Sequence, residues 1–440
     1  MIVRLASILL LLLGLLNPVN SNLLDFAVGF FIFGFTASLV LNSAKGIILL
    51  VMAIVSWVIF AKFSEFNMAI VFGSAGGFVL AKLLAKIKLL EKLAVFIIIA
   101  AFLFSSMAAG NDLRKFLSRD LPLGTYNNDP GVFYKTYLLM EEGSDYYDAY
   151  ARAQTGKFIQ HQVPGDIWGW RMPTLAVIWQ TLPGSTGLSI YFLYLAGASI
   201  LLYFAFNIGQ RYLGSKLGIL SSYLLFPYLH FGARDQMFLE TEWWSVMLFI
   251  IGVYFLITSR LFWATCLLSL TVLVREVYVL PIGLLFLYSI FKNRRLAPVF
   301  LIALSAFLIF FLYHVLRVSS YIDGWGTLFS PRTIVNGLFF IQQTLAFASW
   351  EYLLFGLRPF SFFLLASVAG CWFLIKRGQK EEGIIWLLAF LPFPISFLRF
   401  GSVPYNDYWG VIYVPLAIIL APIALGLFKK KDIKYDHVKG

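Results

Sequence analysis

Charge is what this sequence has least of. Asp, Glu, Lys and Arg together make up 13% of its 440 residues, about half the 25% of soluble domains. Cysteine is nearly absent. The two present, Cys266 and Cys371, lie inside apolar segments and offer neither a disulfide framework nor a thiolate zinc site. The four histidines, His161, His230, His314 and His437, have no metal-ligand spacing, and no metal or cofactor is expected. Gly-rich phosphate loops, HExxH, GxSxG and dinucleotide fingerprints are all missing, which removes the common signatures for nucleotide, zinc-protease and α/β-hydrolase chemistry. An Asp-x-Asp pair, which would hold the metal of a nucleotide-sugar donor, is missing too. So is an Asn-x-Ser/Thr acceptor site.

Apolar residues are abundant. Hydrophobic residues reach 60% and the mean hydropathy is +0.83, so the polar residues cannot cover a water-facing surface. The composition predicts an all-α polytopic membrane protein. Its net charge of +12 is dispersed among apolar runs rather than gathered on one face, which argues against nucleic acid as a partner. A bilayer crossing takes about 20 apolar helical residues. Runs of that order fall near 2–16, 23–42, 46–61, 66–85 and 93–110. They resume near 187–208, 215–230, 240–258, 261–275, 277–291, 296–316, 356–375, 383–398 and 408–428. That is about 14 transmembrane helices, with short re-entrant or horizontal helices in the one long loop. The first run resembles a signal peptide, but Asn17-Pro18-Val19-Asn20-Ser21 is a poor cleavage site, so it is expected to stay.

Placing the N-terminus in the cytoplasm puts Arg4, Lys45, the Lys82–Lys92 cluster, Arg211, Lys216, Arg260, Lys292–Arg295, Lys376–Lys380 and the tail lysines on the inner side. That is 20 of the 34 basic residues and five of the 22 acidic ones, as the positive-inside rule requires. Both termini are then cytoplasmic, and the long loop 111–171 faces outward. Loops beyond about 15 residues are usually functional or disordered. This one is rich in Tyr and Trp, so it is expected to fold against the membrane surface.

That loop holds the leading candidates. Asn127-Asn128-Asp129-Pro130-Gly131 reads as a turn before an amphipathic helix running to Glu142. A second helix is expected from about Asp145 to Thr155, capped by Ser144 or Asp145 and carrying Asp148. Trp168-Gly169-Trp170-Arg171-Met172-Pro173 then leads into a short apolar helix. Helix-capping acids in a solvated loop would account for the same residues. A second cluster comprises Arg234, Asp235, Glu240 and Glu242, beside Trp243 and Trp244, and is equally readable as a charged helix end with interfacial tryptophans. Arg275-Glu276 divides a long apolar stretch into two halves. Ionisable residues at membrane depth point to function, although a packing ion pair would also explain them. Arg399 and Tyr408 lie in the loop before the last span, and Arg317 and Arg332 bracket another outer loop.

An outer-loop aspartate, an aromatic pair, a Gly-x-Asp-Tyr-Tyr-like element and an Arg-x-Pro entering a short helix together resemble the C-type glycosyltransferase superfamily. The closest likeness is to the branch related to protein and lipid mannosyltransferases. The resemblance covers about residues 110–425. Met172 stands where that branch has the first proline of an Arg-Pro-Pro signature. The resemblance implies a sugar donor carried on polyprenyl or dolichyl phosphate, a glycan, lipid or protein acceptor, no metal, and an extracytoplasmic site. By position it marks Asp129 as the general base, with Asp145 and Asp148 as alternatives. It marks Glu240 or Glu242 as a second acid, and Arg275 as the phosphate contact, with Arg171, Arg234, Arg399 and Tyr408 as further donor contacts. The expected organisation is 1–92 as additional N-terminal helices, 93–428 as the catalytic module and 429–440 as a basic tail. Two rivals remain. One is a multi-span transporter or lipid flippase, although no internal repeat is visible. The other is a membrane transferase of another kind, for which His230 or His314 would have to serve.

Overall fold

Among the described residues, most of the apolar runs fold as helices, several with ends close to those read from the sequence. The computed structural model describes residues 7, 11, 23–41, 74–82, 84, 90–109, 129–155, 163–184, 187–234, 236–322, 337–347, 359–399 and 407–428. The span expected at 46–61, most of that at 2–16, Asp235, Arg332, His161 and the basic tail lie outside the described residues. Among the described residues there is no strand.

Besides helical residues at 7, 11, 74–82 and 84, the N-terminal part contains α1 (Leu23–Leu41) and α2 (Leu90–Ala109), followed in the long loop by α3 (Asp129–Glu141), α4 (Tyr146–Gln154) and α5 (Thr174–Gln180). Then come α6 (Leu188–Leu213), α7 (Ser215–Gly232), α8 (Thr241–Ile257), α9 (Leu261–Val274), α10 (Val279–Lys292) and α11 (Ala297–Val318). The chain ends with α12 (Gly337–Ala346), α13 (Pro359–Lys376), α14 (Lys380–Phe390), α15 (Pro392–Ser396) and α16 (Val414–Leu420). Two stretches, Leu188–Leu213 and Ala297–Tyr321, are long and apolar enough to cross a membrane. Shorter apolar helices include α8, α9 and Phe362–Lys376. On α11 the large side chains Leu301, Ile302, Leu308, Ile309, Leu312 and Leu316 are exposed, an apolar face that water would solvate poorly.

Proline explains where the helices depart from the expected spans. The run 383–398 is split between α14 and α15, where Pro392 and Pro394 each lack the N–H an uninterrupted helix needs. The run 408–428 is α16 flanked by 3-10 segments at Asp407–Ile412 and Ala421–Phe428, with Pro415 and Pro422 at the starts of the second and third pieces. Likewise Pro281 cannot donate to the carbonyl four residues earlier, so α9 and α10 are separate helices joined by a 3-10 turn at Glu276–Tyr278.

Packing is closest where side chains are smallest. α6 and α7 pair through Gly209 and Gly218. A Cβ on Gly218 would come within 2.5 Å of the Gln210 amide nitrogen, and one on Gly209 within 2.6 Å of the Gly218 carbonyl oxygen. Small residues that admit a neighbouring backbone are how apolar helices associate where hydrophobic burial alone provides little drive. α1 packs against α2 and α7, and the Tyr223 hydroxyl donates to the Leu11 carbonyl at 2.9 Å.

The loop helices correct two expectations. α3 is not amphipathic: apart from Lys135, every residue from Pro130 to Met140 is buried. It stops at Gly143, whose φ of +95° sets up the Ser144 N–H to Leu139 carbonyl bond at 3.0 Å and the Gly143 N–H to Met140 carbonyl bond, a Schellman stop. α4 begins after Asp145, but the Asp145 side chain makes no capping bond. It reaches instead to Arg317 on α11.

Candidate functional site

Five separate segments bring their ionisable residues to one place. Asp129 opens α3, where a carboxylate is favoured by the helix N-terminus. Arg171 sits in the turn before α5, held by the Tyr146 hydroxyl donating to its carbonyl at 2.6 Å. Its Nη1 donates to the Trp168 carbonyl at 3.2 Å, and its Nη2 to the Tyr408 hydroxyl at 3.2 Å. Tyr408 in turn hydrogen-bonds the Asp129 carboxyl. Glu240 and Glu242 flank the start of α8, and Arg275 enters from the break between α9 and α10.

The break positions Arg275. Its N–H closes α9 onto the Thr271 carbonyl at 2.9 Å. Its own backbone is extended, with φ −146° and ψ 110°, so the side chain leaves the helix line. Nε meets Glu242 Oε1 at 2.8 Å and Nη1 meets Glu276 Oε1 at 2.5 Å. The second Glu242 oxygen accepts from the Thr241 hydroxyl at 3.1 Å. Glu242 is therefore fully engaged, and Arg275 is neutralised by two carboxylates. Arg171 has no carboxylate in ion-pair contact among the described residues. Its Nε has no hydrogen-bond partner there either, which leaves it the cation better placed to receive an anion from outside.

The electrostatics follow from this arrangement. Burial pushes the Asp129 carboxyl above its usual range, and the nearby Glu242 adds to that, while Arg171, the Tyr408 hydrogen bond and Arg275 pull it back. Glu240 is buried beside them, and its Oε2 has no hydrogen-bond partner among the described residues. The Tyr150 phenol in α4 is pushed up to about 12, again by burial first, against the pull of Arg171. The site thus favours a protonated carboxyl among its acids.

Beside Arg171 lies a small, partly open pocket. Its walls are mostly apolar: Phe133 and Thr136 of α3, Tyr146 of α4, Met172, Leu175, Ala176 and Trp179 around α5, and Thr241 at the head of α8. The Trp179 indole N–H has no partner among the described residues. Arg171 is the one charged side chain among the described residues that line the pocket.

Of the residues singled out in the sequence, Asp129, Arg171, Glu240, Glu242, Arg275 and Tyr408 converge. The others do not. Asp145 is exposed and paired with Arg317 at 2.5 Å. Asp148 is exposed on the outer face of α4, 3.9 Å from Arg152. Arg399 is exposed after α15, and Arg234 is half-buried at the end of α7. The reason is the period of α4, which buries Tyr146, Tyr147, Ala149, Tyr150 and Ala153 and turns its acids outward.

Sequence reasoning gave Glu276 only a packing role, read Tyr146 only as part of the Gly-x-Asp-Tyr-Tyr-like element, and gave Tyr150 no role. His230 and His314 acquire partners that no local pattern could reveal. His314 Nδ1 meets the Tyr147 hydroxyl at 3.0 Å, and His230 Nδ1 meets the Ser106 hydroxyl at 3.1 Å. Among the described residues no group of three or more His, Cys, Asp or Glu side chains is placed to hold a metal ion. Comparison of the chain with protein-family models, with curated proteins and with solved structures returned no match.

Proposed function

We propose that this protein is a multi-span membrane glycosyltransferase that moves a sugar from a polyprenyl-phosphate carrier to an acceptor hydroxyl on the extracytoplasmic side. The observation that carries the reading is the meeting of Asp129, a buried carboxyl with a raised pKa, with Tyr408 and Arg171, the last of which also lines a small pocket between the loop helices and the head of α8. The reaction needs a base on one side of the anomeric carbon and a cation on the other.

Asp129 takes the acceptor's hydroxyl proton as that oxygen bonds to the anomeric carbon. The bond from that carbon to the phosphate oxygen breaks, and the electron pair leaves with the polyprenyl phosphate. Opposed attack and departure invert the anomeric centre, as at an inverting glycosidase. Arg171 receives the departing phosphate, since a guanidinium stays charged and can bind phosphate oxygens in pairs. Arg275 holds Glu242 and Glu276 in place rather than contacting the donor. The prenyl chain lies among apolar helices such as α11, whose exposed leucines and isoleucines suit hydrocarbon. In this reading the shorter apolar helices also cross the bilayer, giving the fourteen-span topology with both termini cytoplasmic.

The test is release of sugar from radiolabelled polyprenyl-phosphate monosaccharides by purified wild type and Asp129→Asn in nanodiscs, with acceptor present. Turnover that disappears in the variant while lipid binding persists supports both the class and the base. Lipid binding and translocation without transfer would instead favour a lipid flippase.

A further inference from the structure

The two glutamates that open α8 look interchangeable in sequence but occupy different chemical positions. Glu242 has both carboxyl oxygens engaged, by Arg275 and by Thr241. Glu240 is 4% exposed, and its Oε2 is buried without a hydrogen-bond partner among the described residues. The charged groups that act on it are Asp129 from α3, Glu242 from α8, Arg171 from the turn before α5 and Arg275 from the α9–α10 break. Arg275 is already neutralised by Glu242 and Glu276, and Arg171 lies nearer Tyr408. An ionised carboxylate with a bare oxygen, buried between two other acids, is the least favourable state available to it. A protonated carboxyl removes the charge and turns the bare oxygen into a donor.

We propose that Glu240 is a neutral carboxylic acid that donates its O–H to a hydroxyl of the bound carbohydrate, so that the pair of acids at this site divides into a proton-accepting Asp129 and a hydrogen-bond-donating Glu240. This rests on the glycosyl-transfer reading for the identity of the acceptor oxygen, but not for the proton. A buried carboxyl oxygen without a hydrogen-bond partner carries a negative charge at high cost, and protonation removes that cost. Carboxyl groups kept neutral in this way are known hydrogen-bond donors in enzyme sites. The recognised chemistry is a hydroxyl oxygen with a free lone pair, as on a hexose.

Two readouts test it. Infrared difference spectra in H₂O and D₂O should show a carboxylic-acid carbonyl band in the wild type that is lost in Glu240→Gln and kept in Asp129→Asn. Persistence of the band in Glu240→Gln, or its loss in Asp129→Asn, would overturn the assignment. The second variant serves even if the first fails to fold. In sugar-release assays Glu240→Gln, which keeps an N–H donor of similar shape, should retain turnover within about threefold, whereas Glu240→Leu should lose about tenfold or more. A Gln variant as inactive as the Leu variant would mean that an ionised carboxylate is required, and the proposal falls. Wild type that turns over no lipid-linked sugar would sink the transferase reading, while the infrared band still decides where the proton sits.

Discussion

Arg275 Nε lies 2.8 Å from Glu242 Oε1, with side chains 2% and 0% exposed, and this contact joins the head of α8 to the gap between α9 and α10. Glu276 on the other side of the guanidinium makes it a carboxylate–guanidinium–carboxylate triad inside an apolar helix bundle. Such triads are better at fixing geometry than at adding net stability. Here the geometry fixed is the position of Glu242 beside Asp129 and Glu240.

Breaking the triad from one side should therefore be severe. Arg275→Leu leaves Glu242 buried and uncompensated, with an expected loss of about 3–5 kcal/mol. The Arg275→Leu/Glu242→Leu double variant should recover much of that loss. Thermal denaturation in detergent compares the three proteins. A single variant as stable as wild type would contradict the triad.

The raised pKa of Asp129 has a defined pH signature. Its native form holds the proton more tightly than the unfolded chain does, so it adds no cost below the usual 3.8. Stability then falls as pH climbs from 3.8 through the folded value. Activity runs the opposite way, since the base must be ionised, and the acid limb of the rate profile should lie above 3.8. A profile of sugar release against pH locates it, and a limb at or below the usual value would remove Asp129 as the base.

Tyr408 spans the site through its hydroxyl, to Arg171 at 3.2 Å and to Asp129. Tyr408→Phe should slow transfer by about 10- to 150-fold, the worth of a hydrogen bond to a charged group at about 1.5–3 kcal/mol, with the fold intact. Unchanged turnover would place the phenol outside the reaction.

By contrast, the exposed Asp145–Arg317 pair is a surface ion pair of under about 1 kcal/mol. Asp145→Asn should leave transfer within about twofold. A large loss of turnover in that variant would return Asp145 to the list of candidate bases.

Glycines separate packing from propensity. A Gly218→Ala methyl would meet the Gln210 backbone at 2.5 Å, forcing α6 and α7 apart, and the melting temperature should drop. At Gly283 in α10 nothing lies within 4 Å of the added methyl. Gly283→Ala should hold or raise stability by about 0.5–1 kcal/mol through helix propensity. The reverse order in a thermal melt would contradict the α6–α7 interface.

The helices were largely legible because a long apolar run has one cheap way to satisfy its backbone, and proline marks where that way is closed. Hence α6, α8, α9 and α11 fall where hydropathy puts them, while the single span read at 408–428 missed the consequences of Pro415 and Pro422. The site was legible in part. Asp129, Arg171 and the Arg275–Glu276 break stand out because charge is rare in such a chain. Which of them act together is not a local property. Asp145 and Asp148 stand out equally, and only the face of α4 that its tyrosines bury turns those two acids away.

By itself, the sequence determined the helical class, the near absence of charge and the few positions where ionisable groups interrupt apolar segments, all set by composition and by the backbone's need for internal hydrogen bonds. The tertiary structure decided the pairings. Arg275 is taken by Glu242 and Glu276, Arg171 is held by Tyr408 but keeps its Nε without a described partner, and Glu240 keeps an oxygen with no described partner. Those differences arise because residues dozens to hundreds apart in the chain share one small buried volume, where each charge sets the cost of the next.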